Sequence, residues 1–178
     1  GRVFCWGKNT LGALGTPDVV NATLPVAVPG VIGATRLASA ATAVCALVGT
    51  DAICWGAGSA FPFTVPLPAG TTQIALSGVK DENGGNTLHI YALDDTGQSF
   101  KRRLFALGAA PLIFEKADPD VKQLVDGGGA ACIITTAGAL LCNGAPVATA
   151  VDLAQKNADG SLCYKSAGEL YCGPKPVA

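Results

Sequence analysis

Seven of the 178 residues are cysteines, at 5, then 45 and 54, 132 and 142, and 163 and 172. Thiols in pairs offer three chemistries: metal ligation, nucleophilic catalysis and disulfide bonding. Structural zinc sites place their ligands two to four residues apart, and pairs nine or ten positions apart form no such knuckle. Nucleophilic catalysis would have to be built on His89, the sole histidine. That residue lies in the strand-like run Thr87-Leu88-His89-Ile90-Tyr91, where packing in a strand or an interface accounts for it. There is no Gly-x-Ser-x-Gly elbow, and Gly127-Gly128-Gly129 lacks the Lys-Ser/Thr that completes a phosphate loop. Those glycines fit a tight turn before the fourth hairpin. Asp94-Asp95 and Asp118-Pro119-Asp120 bring carboxylates together as acid–base catalysis or calcium would require, but turn chemistry uses the same residues. Lys101-Arg102-Arg103 is the one basic run; it reads as a solvated edge, with an anionic glycan or phosphate as the alternative contact. The expectation is no catalytic, metal or cofactor site, and no enzyme.

Disulfide bonding needs elements that bring the sulfurs together, and the chain repeats such an element. Gly1-Arg2-Val3-Phe4-Cys5-Trp6-Gly7 is answered by Asp51-Ala52-Ile53-Cys54-Trp55-Gly56, then more loosely by segments around Phe100, Cys142 and Cys172. Upstream of the last four lie Cys45-Ala46-Leu47, Tyr91-Ala92-Leu93, Cys132-Ile133-Ile134 and Cys163-Tyr164-Lys165, each joined to its second half by a short Gly-bearing turn. Apolar runs joined in this way read as β-hairpins, near 1–7, 45–56, 91–100, 132–144 and 163–173. If Cys45 faces Cys54, the pairs close inward on Gly49-Thr50, a two-residue turn with glycine first. The same arithmetic on Cys163 and Cys172 leaves Ala167-Gly168 at the tip and sets Tyr164 opposite Tyr171; a bulge at that less suitable turn would shift the register. Cysteines facing across antiparallel strands lie within bonding reach, so three bridges are expected: Cys45–Cys54, Cys132–Cys142 and Cys163–Cys172. Tyr91 and Phe100 repeat the Cys45–Cys54 spacing and are expected to replace the bridge by a facing aromatic pair. Cys5 is unpaired within the chain; by the pattern its partner would sit nine residues earlier, so the sequence reads as a single repeat domain, 1–178, or a segment of a larger one, a free reactive thiol being the competing reading.

Composition sets the surroundings. Charged residues make up 14% of the chain against 49% hydrophobic, with 12 Lys+Arg and 13 Asp+Glu. That balance supplies no basic excess for nucleic acid and argues against disorder. Gly at 23 and Pro at 11 favour turns and strands over helices. The longest uncharged run, 52–79, is broken by prolines and cannot cross a bilayer as a helix. Bridges at this density imply an oxidising compartment, extracellular or at a cell surface. Asn21-Ala22-Thr23 is a sequon, so Asn21 is a candidate for a covalent glycan on an exposed segment. The Pro-punctuated runs 24–29 and 61–68 read as extended connectors or as protected edge strands.

Cys-Ala-Leu…Gly…Ile-Cys-Trp-Gly at 45–56, and Trp6, Gly7, Asn9, Gly12, Leu14 and Gly15 in the first fifteen residues, resemble repeats of the regulator-of-chromosome-condensation family, whose relatives include beta-lactamase inhibitor protein II. The resemblance weakens from 57 onward. It implies an all-β fold of propeller-like repeats, with short antiparallel hairpins pinned by the disulfides and, with so few repeats, an incomplete or open propeller. The nuclear role of the founding member does not suit this charge and thiol usage. The secreted branch, including mastigoneme-like extracellular fibre proteins, implies a structural or assembly module of a fibre, coat or surface appendage, whose partners are other protein subunits or copies of itself. The alternative is a secreted propeller module that binds a protein or glycan.

Overall fold

The computed structural model describes residues 1–18, 20–40, 42–80, 86–104, 113–125, 131–156 and 161–173. Among the described residues, seventeen strands fall into five antiparallel sheets, each made of strands consecutive in sequence. The first sheet pairs β1 (Arg2–Lys8) with β2 (Asn21–Ile32), after a single 3-10 turn at Thr10–Gly12. The second is β3 (Ala34–Ala40), β4 (Ala43–Val48), β5 (Asp51–Gly56) and β6 (Ser59–Pro66). The third holds β7 (Thr71–Lys80), β8 (Asn86–Asp94), β9 (Ser99–Arg103) and the short β10 (Glu115–Lys116). The fourth is β11 (Val121–Val125), β12 (Cys132–Thr135), β13 (Leu140–Cys142) and β14 (Ala145–Ala148). The fifth is β15 (Val151–Lys156), β16 (Leu162–Ser166) and β17 (Glu169–Gly173). No described helix is long and apolar enough to cross a membrane. The proline-rich runs belong to β2 and β6, each at the edge of its sheet, where a residue without N–H costs no ladder bond.

Successive sheets pack face to face, and the pleat decides what each face carries, since neighbouring side chains point to opposite sides. In the second sheet Cys45, Leu47, Ala52, Cys54 and Val65 face Ile74, Leu76, Leu88 and Ile90 of the third. The opposite face, with Ala46 and Trp55, meets Val3, Val28 and Val31 of the first. Val121, Leu124 and Ile133 of the fourth sheet pack on Ala75 and Leu93 of the third. Val125, Cys132, Ile134 and Leu140 pack on Val151, Ala154 and Leu162 of the fifth. The fold is thus all-β, built as an open series of propeller-like blades.

The registers follow from the turns. Cys45 pairs with Cys54, Leu47 with Ala52 and Val48 with Asp51, around Gly49 at φ 58°. Cys163 pairs with Cys172 and Tyr164 with Tyr171, whose rings stack 5.4 Å apart; Ala167 adopts φ 50° and Gly168 φ 88°, and no bulge shifts this ladder. The third hairpin departs from expectation. Tyr91 pairs with Lys101 and Phe100 with Ala92, so Tyr91 and Phe100 do not face each other. The cause is its turn. Asp94 N donates to Gln98 O, while the Asp94 carboxylate accepts hydrogen bonds from Thr96 N, Thr96 Oγ1 and Gln98 N at 2.7–2.9 Å. Three residues fill the tip instead of two, and one extra residue shifts every later position of β9 by one. The Gly127-Gly128-Gly129 turn lies outside the described residues.

Candidate functional site

Two of the disulfides lie on the face their sheet turns toward the next one, and the third lies on the corresponding, outward face of the fifth sheet. Cys45–Cys54, Cys132–Cys142 and Cys163–Cys172 are all bonded, with Cα atoms 4.1, 4.1 and 4.2 Å apart. The first two are sealed against the following sheet. Cys5 has the same placement in β1: it packs against the second sheet beside Trp55 and is free. Burial pushes its thiol above the usual range, with a hydrogen bond to Trp55 opposing, so little reactive thiolate forms near neutral pH.

Trp55 shows what the tryptophan-glycine motif does. Its ring is fully buried, and Nε1 donates to Ala13 O at 3.2 Å. Asn9 holds that carbonyl's loop in shape: Asn9 Nδ2 donates to Thr16 O at 2.7 Å, and Leu14 N donates to Asn9 Oδ1 at 2.8 Å. A Cβ at Gly15 would stand 3.0 Å from Trp55 Cδ1, which explains the glycine. A loop from the first sheet therefore receives a ring from the second. Trp6, the matching residue of β1, is 65% exposed, on the outward face with Phe4 and Ile32. At the far end, alternation places Leu153, Leu170 and the Cys163–Cys172 bridge on the outward face of the fifth sheet, with Leu170 73% exposed.

The third sheet breaks the series. At the place of the bridge it carries Tyr91 opposite Lys101, and beside them a cleft of about 400 Å³ opens between the third and fourth sheets. Asp118 and Asn143 line its rim, and Ile133 and Leu141 its apolar side. Asp118 is held in place by buried Ser99: Ser99 Oγ donates to Asp118 O at 2.8 Å, and Asp118 N donates to Ser99 Oγ at 2.9 Å. Asn143 sits at φ 49° in the turn joining β13 to β14, its N–H donating to Ala131 O at 2.9 Å. Burial raises the Tyr91 phenol above its ordinary value and the Asp118 charge raises it further, against a hydrogen bond with Ser77, so it keeps its proton.

The other residues singled out in the sequence are dispersed. His89 is half-buried in β8, paired with Ser77 and Arg103; burial lowers its pKa, as do Arg103 and Lys101. Arg102 lies over the Phe114 ring at 5.3 Å, and Lys101 alone of the basic run reaches the cleft. Asp94 serves its turn. Among the described residues, no group of three or more His, Cys, Asp or Glu is placed to hold a metal. Asn21 opens β2 and is exposed. The cleft has no local signature in the sequence, because its residues come from 91, 101, 118 and 143; the missing bridge in the third hairpin was the available signal.

Residues 1–47 match the family model of the regulator of chromosome condensation (RCC1) repeat. No curated protein matches the chain in sequence. A chain of the crystal structure of Kap60 bound to yeast RCC1 (Prp20) resembles it with a TM-score of 0.62 at 15% identity, over 96% of this chain and 49% of that one. The chain thus spans about half the length of that relative in fold. What the likeness establishes is architecture: a series of RCC1-like propeller blades.

Proposed function

We propose that the chain is a structural module of an extracellular fibre, coat or cell-surface appendage, assembling through its two outward faces with further copies of itself. The carrying observation is that Trp6 and Leu170 lie exposed on the outward faces of the first and fifth sheets while their counterparts in the sheets between are buried, so each face offers apolar surface for a further blade. The packing between sheets is directional: the face with the bridge positions, filled by Tyr91 and Lys101 in the third sheet, meets the opposite face of the next sheet. The fifth sheet presents the first kind of face and the first sheet the second, so the two faces are complementary and a contact between copies would run head to tail. Such a head-to-tail contact closes into rings or runs on as filaments. The Kap60 complex shows an RCC1 protein in a protein-bound role, which accords with an interaction module. Three bridges suit an oxidising compartment, and a glycan on exposed Asn21 would cover part of a surface poor in charge. No catalytic step and no cofactor enters this reading.

Sedimentation velocity on the oxidised chain tests it. Assemblies growing with concentration are expected. Trp6→Glu and Leu170→Glu should each stop growth alone, and an equal mixture of the two should give capped pairs, because each retains one intact end. A wild type that stays monomeric at high concentration would overturn the proposal. The second reading, a secreted module that binds a protein or glycan, is favoured by the cleft between the third and fourth sheets.

A further inference from the structure

The geometry points to a neutral saccharide as the ligand of the cleft formed by Tyr91, Lys101, Asp118 and Asn143, with Ile133 and Leu141 as its apolar wall. This inference rests on the second reading, the binding module, and is independent of assembly.

The position matters first. Two of the sheet-to-sheet seams are closed at this level by a buried disulfide, and here an apolar plug has given way to a phenol and an ammonium beside an opening of about 400 Å³. That volume lies in the range of small-molecule sites. The opening is not slack packing, since its neighbours are well ordered by specific contacts. Ser99 is 1% exposed and spends its hydroxyl on the Asp118 backbone, and Ala131 O fixes the Asn143 backbone.

The chemistry of the rim selects the ligand. An ionised aspartate only accepts hydrogen bonds, a lysine only donates, and asparagine and tyrosine do both. The Tyr91 hydroxyl is already partnered by Ser77, and a ligand that satisfies the other three must both donate and accept at closely spaced points, as vicinal hydroxyls do. An anion would suit Lys101 but oppose Asp118, and a cation the reverse, so a neutral polyol fits the balanced rim. A pyranose also has a C–H face, which the Tyr91 ring and the Ile133 and Leu141 side chains can cover.

The test is NMR titration of the oxidised chain with the methyl glycosides of glucose, galactose, mannose and N-acetylglucosamine, and with a glycoprotein bearing these sugars. Saturable shifts at 91, 101, 118 and 143 are expected with at least one probe. Saturation by the free glycosides, or by the glycoprotein alone, both support the site and distinguish a soluble sugar from a protein-linked one. Asp118→Ala should weaken binding about tenfold or more, the order expected when a charge-assisted hydrogen bond is lost. Combining Tyr91→Cys with Lys101→Cys should abolish it. Those two positions pair across strands ten residues apart, as Cys132 and Cys142 do, so the variant should gain a fourth bridge and keep its fold. Binding that survives both variants unchanged would overturn the cleft while leaving the binding module standing. Absence of saturation by every probe would remove both. Saturation by sulfated or phosphorylated sugars only, run in parallel, would overturn the neutral class.

Discussion

The second and third sheets share four-stranded order, yet they meet their following neighbours differently. The second turns a fully buried Cys45–Cys54 bridge toward the third. The third turns Tyr91 and Lys101 toward the fourth and leaves a cleft. Covalent closure lets a hairpin stand with little core, while a polar pair at the same level gives up sealing and gains surface able to recognise something. The fourth hairpin has a three-residue tip as well and keeps its bridge, so what separates the outcomes is that Tyr91 and Lys101 stand where Cys132 and Cys142 do, the residue added at Asp94–Gln98 having set Lys101 opposite Tyr91.

Breaking the sealed side should cost most. Trp55→Ala, which empties a buried site and deletes the hydrogen bond to Ala13, is expected to destabilise by about 3–5 kcal/mol in denaturant unfolding. Trp6→Ala, in its exposed counterpart, should stay within about 0.5 kcal/mol for the monomer; comparable losses would show that the two positions are equivalent after all. Next comes the bridge. Replacing Cys45 and Cys54 together by Ala should cost roughly 2–3 kcal/mol, the value for a loop of this length, whereas Tyr91→Ala beside the open cleft should cost less. The register itself can be sharpened by chemistry. Tyr91→Cys with Phe100→Cys should stay reduced under conditions that oxidise the 91/101 pair, since the residues at 91 and 100 point to opposite faces; mass mapping reads the result.

The smallest effect concerns pH. Asp94 is partly exposed; burial raises its pKa, but hydrogen bonds from Thr96, Gln98 and Gly97 outweigh that and hold the carboxyl below its usual value. A depressed folded pKa stabilises above the unfolded value and loses that stabilisation as pH falls through the folded one. A small drop in melting temperature is therefore expected below about pH 3.8 and should be absent in Asp94→Asn. An equal acid response in that variant would assign the drop to other carboxylates.

Much of the fold was legible because cysteines report pairing directly. Cys45 and Cys54, or Cys163 and Cys172, fix a register once their turns are short, and the repeat of Cys-Trp-Gly marked the strands around them. The third hairpin misled for a local reason: spacing alone does not reveal that an aspartate side chain will cap its own turn and admit a third residue. The cleft was invisible for a longer-range reason, as no pattern links 118 and 143 to 91. The unequal fate of Trp6 and Trp55 was equally hidden, because burial depends on which sheet stands behind the ring.

The three bridges also bear on how the molecule would behave under load. Each ties off the nine or ten steps of backbone between its sulfurs. When the chain is drawn out from its ends, those tied-off stretches stay looped, which withholds roughly 90 Å of extension. Stretching in an atomic force microscope should therefore yield a shorter contour in oxidising buffer than with reductant present, and a tether in a fibre would creep less for it.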